Sequence, residues 1–262
     1  MSWLEALILG IIQGLTEFLP VSSSGHLELG KVLLGIEATN DVTFTVVVHG
    51  ATVLSTIVVF YRDILNLFKG VLAFKWNASA DYVFTLCLSA IPVVIIGLLF
   101  KDEIEGFFNN NVLLVGCMLL ITGSLLAFTY YAPKDGGEVS KGKAILIGIA
   151  QAIAVMPGIS RSGATIATAL LLGVDKKKAA RFSFLMVLIP IMGANAKDIL
   201  DGGMANSSIA AFPLIIGFLA AFIAGVLACR WMIAIVTRGK LINFAIYCFI
   251  VGVVAIAGHF TA

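Results

Sequence analysis

Residues 13–26 read QGLTEFLPVSSSGH and residues 157–165 read PGISRSGAT. Each lies inside an apolar run, at 3–35 and 144–173, and each interrupts that run with proline, glycine and serine. Of 262 residues, 60% are hydrophobic and 12% charged, with a mean hydropathy of +1.06. A soluble domain is roughly half apolar and about a quarter charged, so the composition excludes one and indicates an all-α polytopic membrane protein. Crossing a bilayer takes about 20 mostly apolar residues. Six stretches qualify: 42–61, 83–100, 112–131, 182–200, 211–231 and 242–260. The halves of 3–35 and 144–173 are too short to cross, so each region is expected to enter and leave on one face as a re-entrant, broken-helix hairpin. Such backbone is tolerated at membrane depth only where protein or a wet cavity satisfies it.

The two broken regions share one offset. Moving the sequence by 138 residues sets Gly10, Gln13, Ser22, Ser24 and Gly25 on Gly148, Gln151, Ser160, Ser162 and Gly163. Each copy holds one hairpin and three spans, repeat one over 1–131 and repeat two over 144–262, within a single membrane domain covering 1–262. Three spans are an odd number, so the repeats are expected in inverted topology, an arrangement that marks binding sites in many transporters. Taking 36–41 as outside leaves Arg62, Lys69, Lys75, Lys134, Lys141, Lys143, Lys176, Lys177, Lys178, Arg181, Arg230, Arg238 and Lys240 inside, and only Lys101 and Lys197 outside. That bias fits the positive-inside rule and puts both termini outside. The N-terminus has no basic region and no small-residue cleavage site, and is expected in the mature protein. Cys87, Cys117, Cys229 and Cys248 have no metal or redox spacing and are expected to be small core residues.

Gln13 and Glu17, four apart, share one helical face, and Pro20 ends that helix. Ser22, Ser23 and Ser24 offer caps for the next half-helix, with His26 in its first turn. The second break repeats the design with Pro157, Gly158, Ser160, Ser162 and Thr165, and Arg161 takes the place of a serine. Two half-helix N-termini aimed at one spot form an anion site, and the planar fork of Arg161 suits phosphate. A carboxylate in such a site has a use if it holds a metal, acts as a base or pairs with Arg161. Magnesium held by Glu17 and phosphate oxygens is one ordinary arrangement.

Together the two motifs resemble the undecaprenyl-pyrophosphate phosphatase family of bacterial membrane enzymes, also known for bacitracin resistance, over nearly the whole chain. The resemblance implies hydrolysis of a C55 polyprenyl diphosphate to the monophosphate lipid carrier and inorganic phosphate, in the bacterial cytoplasmic (inner) membrane. Carried over by position, Glu17, Ser23, His26 and Arg161 are the expected catalytic residues. Gln13, Ser22, Ser24, Gly158, Ser160, Arg161, Ser162 and Thr165 would contact substrate. Glu17 and Gln13 would hold a divalent cation, magnesium or calcium. Many members carry glutamate where this chain has Gln13, so Glu17 alone supplies the acid. Attack by Ser23 with His26 as base, phosphorylation of His26, and water activated by His26 all stay open. The expected partners are the polyprenyl diphosphate and membrane lipids, with no nucleic acid and a homodimer left open. The rival from another class is a polyprenyl-phosphate flippase or transporter. His49 is expected to make an interhelical hydrogen bond in preference to approaching the site, 101–106 to be an outer loop, and Glu28 and Lys31 to be a local ion pair or to contact lipid headgroups.

Overall fold

The computed structural model describes residues 1–36, 42–107, 111–133, 136–200 and 209–261. The expected outer connection at 36–41, apart from Ile36, and Lys134 lie outside these residues. Thirteen α-helices and no β-strand occur among the described residues. They are α1 (Trp3–Phe18), α2 (Ser23–Leu34), α3 (Val42–Val59), α4 (Tyr61–Leu72), α5 (Ala78–Leu99), α6 (Lys101–Gly106) and α7 (Val112–Phe128) in the first half. The second half holds α8 (Lys141–Ile153), α9 (Arg161–Leu171), α10 (Lys176–Met186), α11 (Leu188–Leu200), α12 (Ala211–Arg238) and α13 (Ile242–Thr261).

Among the described residues, five helical stretches are long and apolar enough to cross a membrane: Ala78–Leu99, Val112–Tyr131, Lys176–Lys197, Ala211–Arg238 and Ile242–Phe260. The sixth expected span, 42–61, is α3 alone. Beyond it the chain turns by 78° into α4, so the pair forms one bent unit. The sequence at 61–72 was expected to be part of a basic loop. It is a helix because its apolar residues recur at helical spacing, but twelve residues are too few to span. None of α4 is buried, and Leu65, Phe68 and Leu72 are exposed. Asn77 fastens it: Nδ2 donates to the Gly70 carbonyl at 2.7 Å, while Oδ1 caps α5 at Ser79 N and Ala80 N. The expected outer loop at 101–106 is the short helix α6. Helix α12 outruns its expected span of 211–231 by a further seven residues and ends on Arg238 and the left-handed cap Gly239.

The two interrupted regions fold as two helix pairs, α1 with α2 and α8 with α9. Helix α1 lies along α12, and α8 along α5. Small residues permit the first contact. A Cβ added at Gly10 would sit 2.5 Å from the Gly217 carbonyl oxygen, and one at Gly14 2.5 Å from that of Ala221. Helices without a water-driven force between them associate through such close backbone packing. Helices α7 and α13 approach in the same way at Gly116 and Gly252. Below the breaks, Phe18, Phe60 and Phe184 pack edge-on or tilted in a core with Ile147, Ile166 and Met232. Cys229 and Cys248 are buried, whereas Cys87 is exposed, because its face of α5 belongs to the outer apolar surface.

Candidate active site

Helix α1 starts in a capping box between Ser2 and Glu5 and runs to Phe18. Leu19, which precedes Pro20, is extended, as a residue before proline must be to avoid the ring. Ser22 then adopts φ 71°, a left-handed conformation rare for a residue with a side chain. What holds it there is a set of hydrogen bonds. Its hydroxyl oxygen accepts from Gly25 N and from Gly158 N, both at 3.2 Å. Its carbonyl accepts from the backbone N–H of His26 at 3.1 Å and lies 2.8 Å from the His26 Nδ1.

The second break is built alike. Ser160 caps α9 by accepting from Gly163 N at 3.0 Å. Gly158 has φ 96°, and any Cβ there would lie 2.6 Å from the Val115 carbonyl oxygen. Thr122 of α7 ties this loop at both ends: its hydroxyl donates to the Gly158 carbonyl and accepts from Ser160 N, each at 3.0 Å. Ser162 Oγ donates to the Leu19 carbonyl at 3.2 Å. With Gly158 N on Ser22, the two breaks are thus joined in both directions.

Between them lies Glu17, 7% exposed. Its Oε1 accepts from Arg161 Nη2. Its Oε2 accepts from Ser23 Oγ at 2.6 Å and from Gln13 Nε2 at 2.9 Å, and stands 3.9 Å from His49 Nε2. Both charges of the pair are shielded, and a buried charge needs such a partner to be tolerated. Glu17, Ser23, Ser24 and Arg161 line a cavity of about 330 Å³ together with Thr45, His49 and Gln151. Val93, Val155, Pro190 and Ala194 are shared with an apolar groove of about 490 Å³ between α5 and α11, which has Lys197 on its wall. A polar chamber therefore runs on into an apolar channel.

The remaining expected residues are placed as follows. Gln13 is fully buried behind Glu17, with Oε1 unpartnered. Ser22, Gly158 and Ser160 serve the joint between the breaks. Thr165 is turned to Ser183 at 2.6 Å and to the backbone of its own helix. His26 does not line the cavity. Its Nε2 lies 2.8 Å from the Tyr247 hydroxyl and its ring stacks on that of Tyr247 at 5.6 Å. The hydroxyl–base contact in this geometry is therefore Ser23 with Glu17, and not Ser23 with His26.

Sequence reasoning left three polar residues of the chamber, Thr45, His49 and Gln151, outside the site. His49 was expected in an interhelical hydrogen bond; its Nδ1 is bonded within α3, to the Thr45 carbonyl at 2.9 Å, and its Nε2 faces Glu17. Gln151 is 1% exposed, and neither its Nε2 nor its Oε1 has a partner. Its match to Gln13 at the shared offset was the available signal. Glu28 and Lys31 form a buried ion pair at 2.7 Å.

No cluster of three or more histidine, cysteine, aspartate or glutamate side chains suited to a metal exists among the described residues. Glu17 is the one carboxylate in the lining of the chamber. Magnesium commonly binds one or two carboxylates plus substrate phosphates and water. One carboxylate beside a hydroxyl and an orphaned amide oxygen fits that mode, in which most of the ligands arrive with the substrate.

The chain matches the family model described as bacitracin resistance protein BacA over residues 6–254. It is 55% identical over 261 residues to an undecaprenyl-diphosphatase of Parabacteroides distasonis, with 98% of each chain covered. It is 54% identical to that of Bacteroides fragilis, again with 98% of each covered. Identity is 37% to undecaprenyl-diphosphatase 1 of Bacillus cereus, over 97% of this chain and 96% of the relative.

Proposed function

The chain belongs to the bacitracin resistance protein BacA family, and from that premise we infer that it works around Glu17 and Arg161 as a membrane phosphatase. It is an undecaprenyl-diphosphatase, converting undecaprenyl diphosphate to undecaprenyl phosphate and inorganic phosphate. The observation that carries the placement of the chemistry is the Glu17–Arg161 pair at the wall of a polar chamber that runs on into an apolar groove. In this reading the diphosphate enters the chamber and the first isoprene units of the tail enter the groove between α5 and α11.

In this reading the guanidinium of Arg161 leaves Glu17 for the terminal phosphate, which offers it the same bidentate geometry at higher charge. Gln151 donates through Nε2 to a phosphate oxygen, which would satisfy an amide otherwise buried without partners. Ser23 Oγ attacks the terminal phosphorus and passes its proton to Glu17 Oε2, with which it already shares a hydrogen bond. The bond to the bridging oxygen breaks and undecaprenyl phosphate departs. Water then attacks the phosphorus, the bond to Ser23 Oγ breaks, Oγ takes back the proton held on Glu17, and the water's hydrogens leave with the phosphate. Phosphoryl transfer of this kind depends mainly on positioning and charge stabilisation. A magnesium or calcium ion bound by Glu17, the Gln13 amide oxygen and the phosphates would neutralise charge on the leaving oxygen. His26 orients Ser22, and so the first break, from its place against Tyr247.

The same reading takes the two halves as inverted repeats, 1–131 and 144–262, with α1–α2 and α8–α9 as re-entrant pairs. The packing of α1 on α12, α8 on α5 and α7 on α13 supports it. Lys141 pairs with Asp81, Arg181 with Asp63, and Lys176 Nζ approaches Gly239, which supports a common basic end for these and Arg62, Lys69, Lys75, Lys143, Lys177, Lys178, Arg238 and Lys240, cytoplasmic by the positive-inside rule. Thr45 lies in the first turn of α3 and Val93 in the second half of α5, away from those residues, which supports a chamber that opens outward with both termini outside the inner membrane.

Phosphate release from C55 and C15 diphosphates by the purified protein in detergent tests the activity. Lipid movement in liposomes without any release would favour a transporter and refute hydrolysis. Single turnover quenched in neutral SDS should trap phosphate on Ser23; label on His26, or inversion at phosphorus with no trapped species, would refute the serine step.

A further inference from the structure

A second groove, of about 600 Å³, lies between the last turns of α1, the end of α12 and the start of α13. It shares no lining residue with the chamber at Glu17. Leu15, Leu19, Trp231 and Phe244 make its walls apolar, while Arg238 and Lys240 stand among its lining residues and no acid does. Both cations are exposed, and neither is paired with another described residue. Along α12, Leu219, Ile223, Leu227 and Trp231 recur every fourth residue, all exposed, and so form one stripe that leads to the groove and its cations. On α13, Tyr247, Ile250 and Val254 continue an exposed surface in the same sense. The groove therefore has an ionic end at the basic side of the molecule and an apolar end that opens sideways onto a surface made for acyl chains.

We propose that this groove binds one anionic phospholipid of the leaflet at the basic end, its phosphate held by Arg238 and Lys240 and an acyl chain laid along Trp231 and the α12 stripe. Charge and shape select this occupant together. A soluble peptide or a free anion would satisfy the cations but leave the apolar walls and stripe without a partner. A zwitterionic lipid would cover the walls but offset the two cations poorly. Basic pockets between helices at a membrane surface recognise anionic headgroups, each cation adding about fivefold, so the pair gives roughly a 30-fold preference. The site is separate from the hydrolytic chamber and stands whether or not that chamber works as described above.

The test uses the full chain in nanodiscs of phosphatidylcholine, with and without phosphatidylglycerol of the same acyl chains. Native mass spectrometry reads which lipid stays bound, and thermal melting reads stabilisation. Wild type should retain phosphatidylglycerol over phosphatidylcholine by roughly 30-fold at equal mole fraction. Arg238→Gln with Lys240→Gln should lose that preference while phosphate release in detergent persists. Equal retention of both lipids by wild type, or an unchanged preference in the double variant, overturns the proposal. Should the double variant not fold, Arg238→Lys with Lys240→Arg must keep the preference, and Lys240→Gln alone must lower it by about fivefold. Inorganic phosphate that stabilises the protein in pure phosphatidylcholine discs as well as phosphatidylglycerol does would make the cations a free-anion site and overturn the lipid assignment.

Discussion

Replacing Gln151 by leucine should make the resting protein more stable and the enzyme slower. The side chain is 1% exposed and neither amide atom has a partner, so the resting fold bears the cost of a dry polar group. Burying such a group without hydrogen bonds costs about 1–3 kcal/mol, and an apolar replacement of similar shape removes that cost. At about 2–4 °C per kcal/mol for a chain of this size, the melting temperature of Gln151→Leu in detergent should rise by several degrees. Turnover should move the other way. A hydrogen bond to a charged oxygen contributes about 1.5–3 kcal/mol, so kcat/KM for a C15 diphosphate should fall by roughly 10- to 150-fold. The two readouts need one preparation each: a melt of the ligand-free protein, and phosphate release across substrate concentrations. A lower melting temperature with kcat/KM unchanged would refute the reasoning and make Gln151 a packing residue. Gln13→Leu is the internal contrast. Its Nε2 is bonded to Glu17, so its loss should lower both stability and turnover.

Glu17→Gln should abolish phosphate release yet bind a non-hydrolysable diphosphate more tightly than wild type, because Arg161 no longer faces a carboxylate; weaker binding by calorimetry would contradict this. Arg161→Ala leaves a buried carboxylate without its counterion and should cost about 3–5 kcal/mol in stability, read by denaturation, as well as all activity. Ser22→Ala removes the acceptor of two backbone N–H groups while keeping the left-handed backbone, and should destabilise the protein by about 1–3 kcal/mol, measured by melting. Gly14→Leu forces α1 off α12, so little folded protein should survive extraction, judged by gel filtration.

The breaks were legible because the residues that interrupt the apolar runs are few and chemically distinct. Proline and glycine stop a helix, serine caps the next one, and a lone acid and a lone arginine in such company have few other uses. Their meeting was legible only through the shared offset. Other features depend on neighbours that no local pattern encodes. Helical spacing put His26 in the first turn of α2 but could not tell that Tyr247, 221 residues on, would take its ring. His49 looked like any polar residue in mid-helix until α3 set it beside Glu17. Helix α4 escaped because a span-length criterion passes over a twelve-residue amphipathic helix that lies along a surface.

In the proposed reading, the contact between Glu17 and Arg161 gives each shielded charge a partner before substrate binds. Arg161 alone would be a shielded cation and Glu17 alone a shielded anion, and each would cost several kcal/mol. Paired, they make the chamber neutral while it waits. On that reading substrate entry would be an exchange, in which phosphate replaces carboxylate on the guanidinium. That exchange would release Glu17 next to the Ser23 hydroxyl it already accepts from, so arrival of the substrate would produce the base that the proposed reaction needs. The joint between the breaks keeps the exchange short-range. Gly158 N on Ser22 and Ser162 on the Leu19 carbonyl fix the two half-helices relative to each other, and a side-chain movement within the chamber is sufficient. On the same reading Gln151 Nε2, which bonds to no described residue, is the donor that a phosphate oxygen would take up.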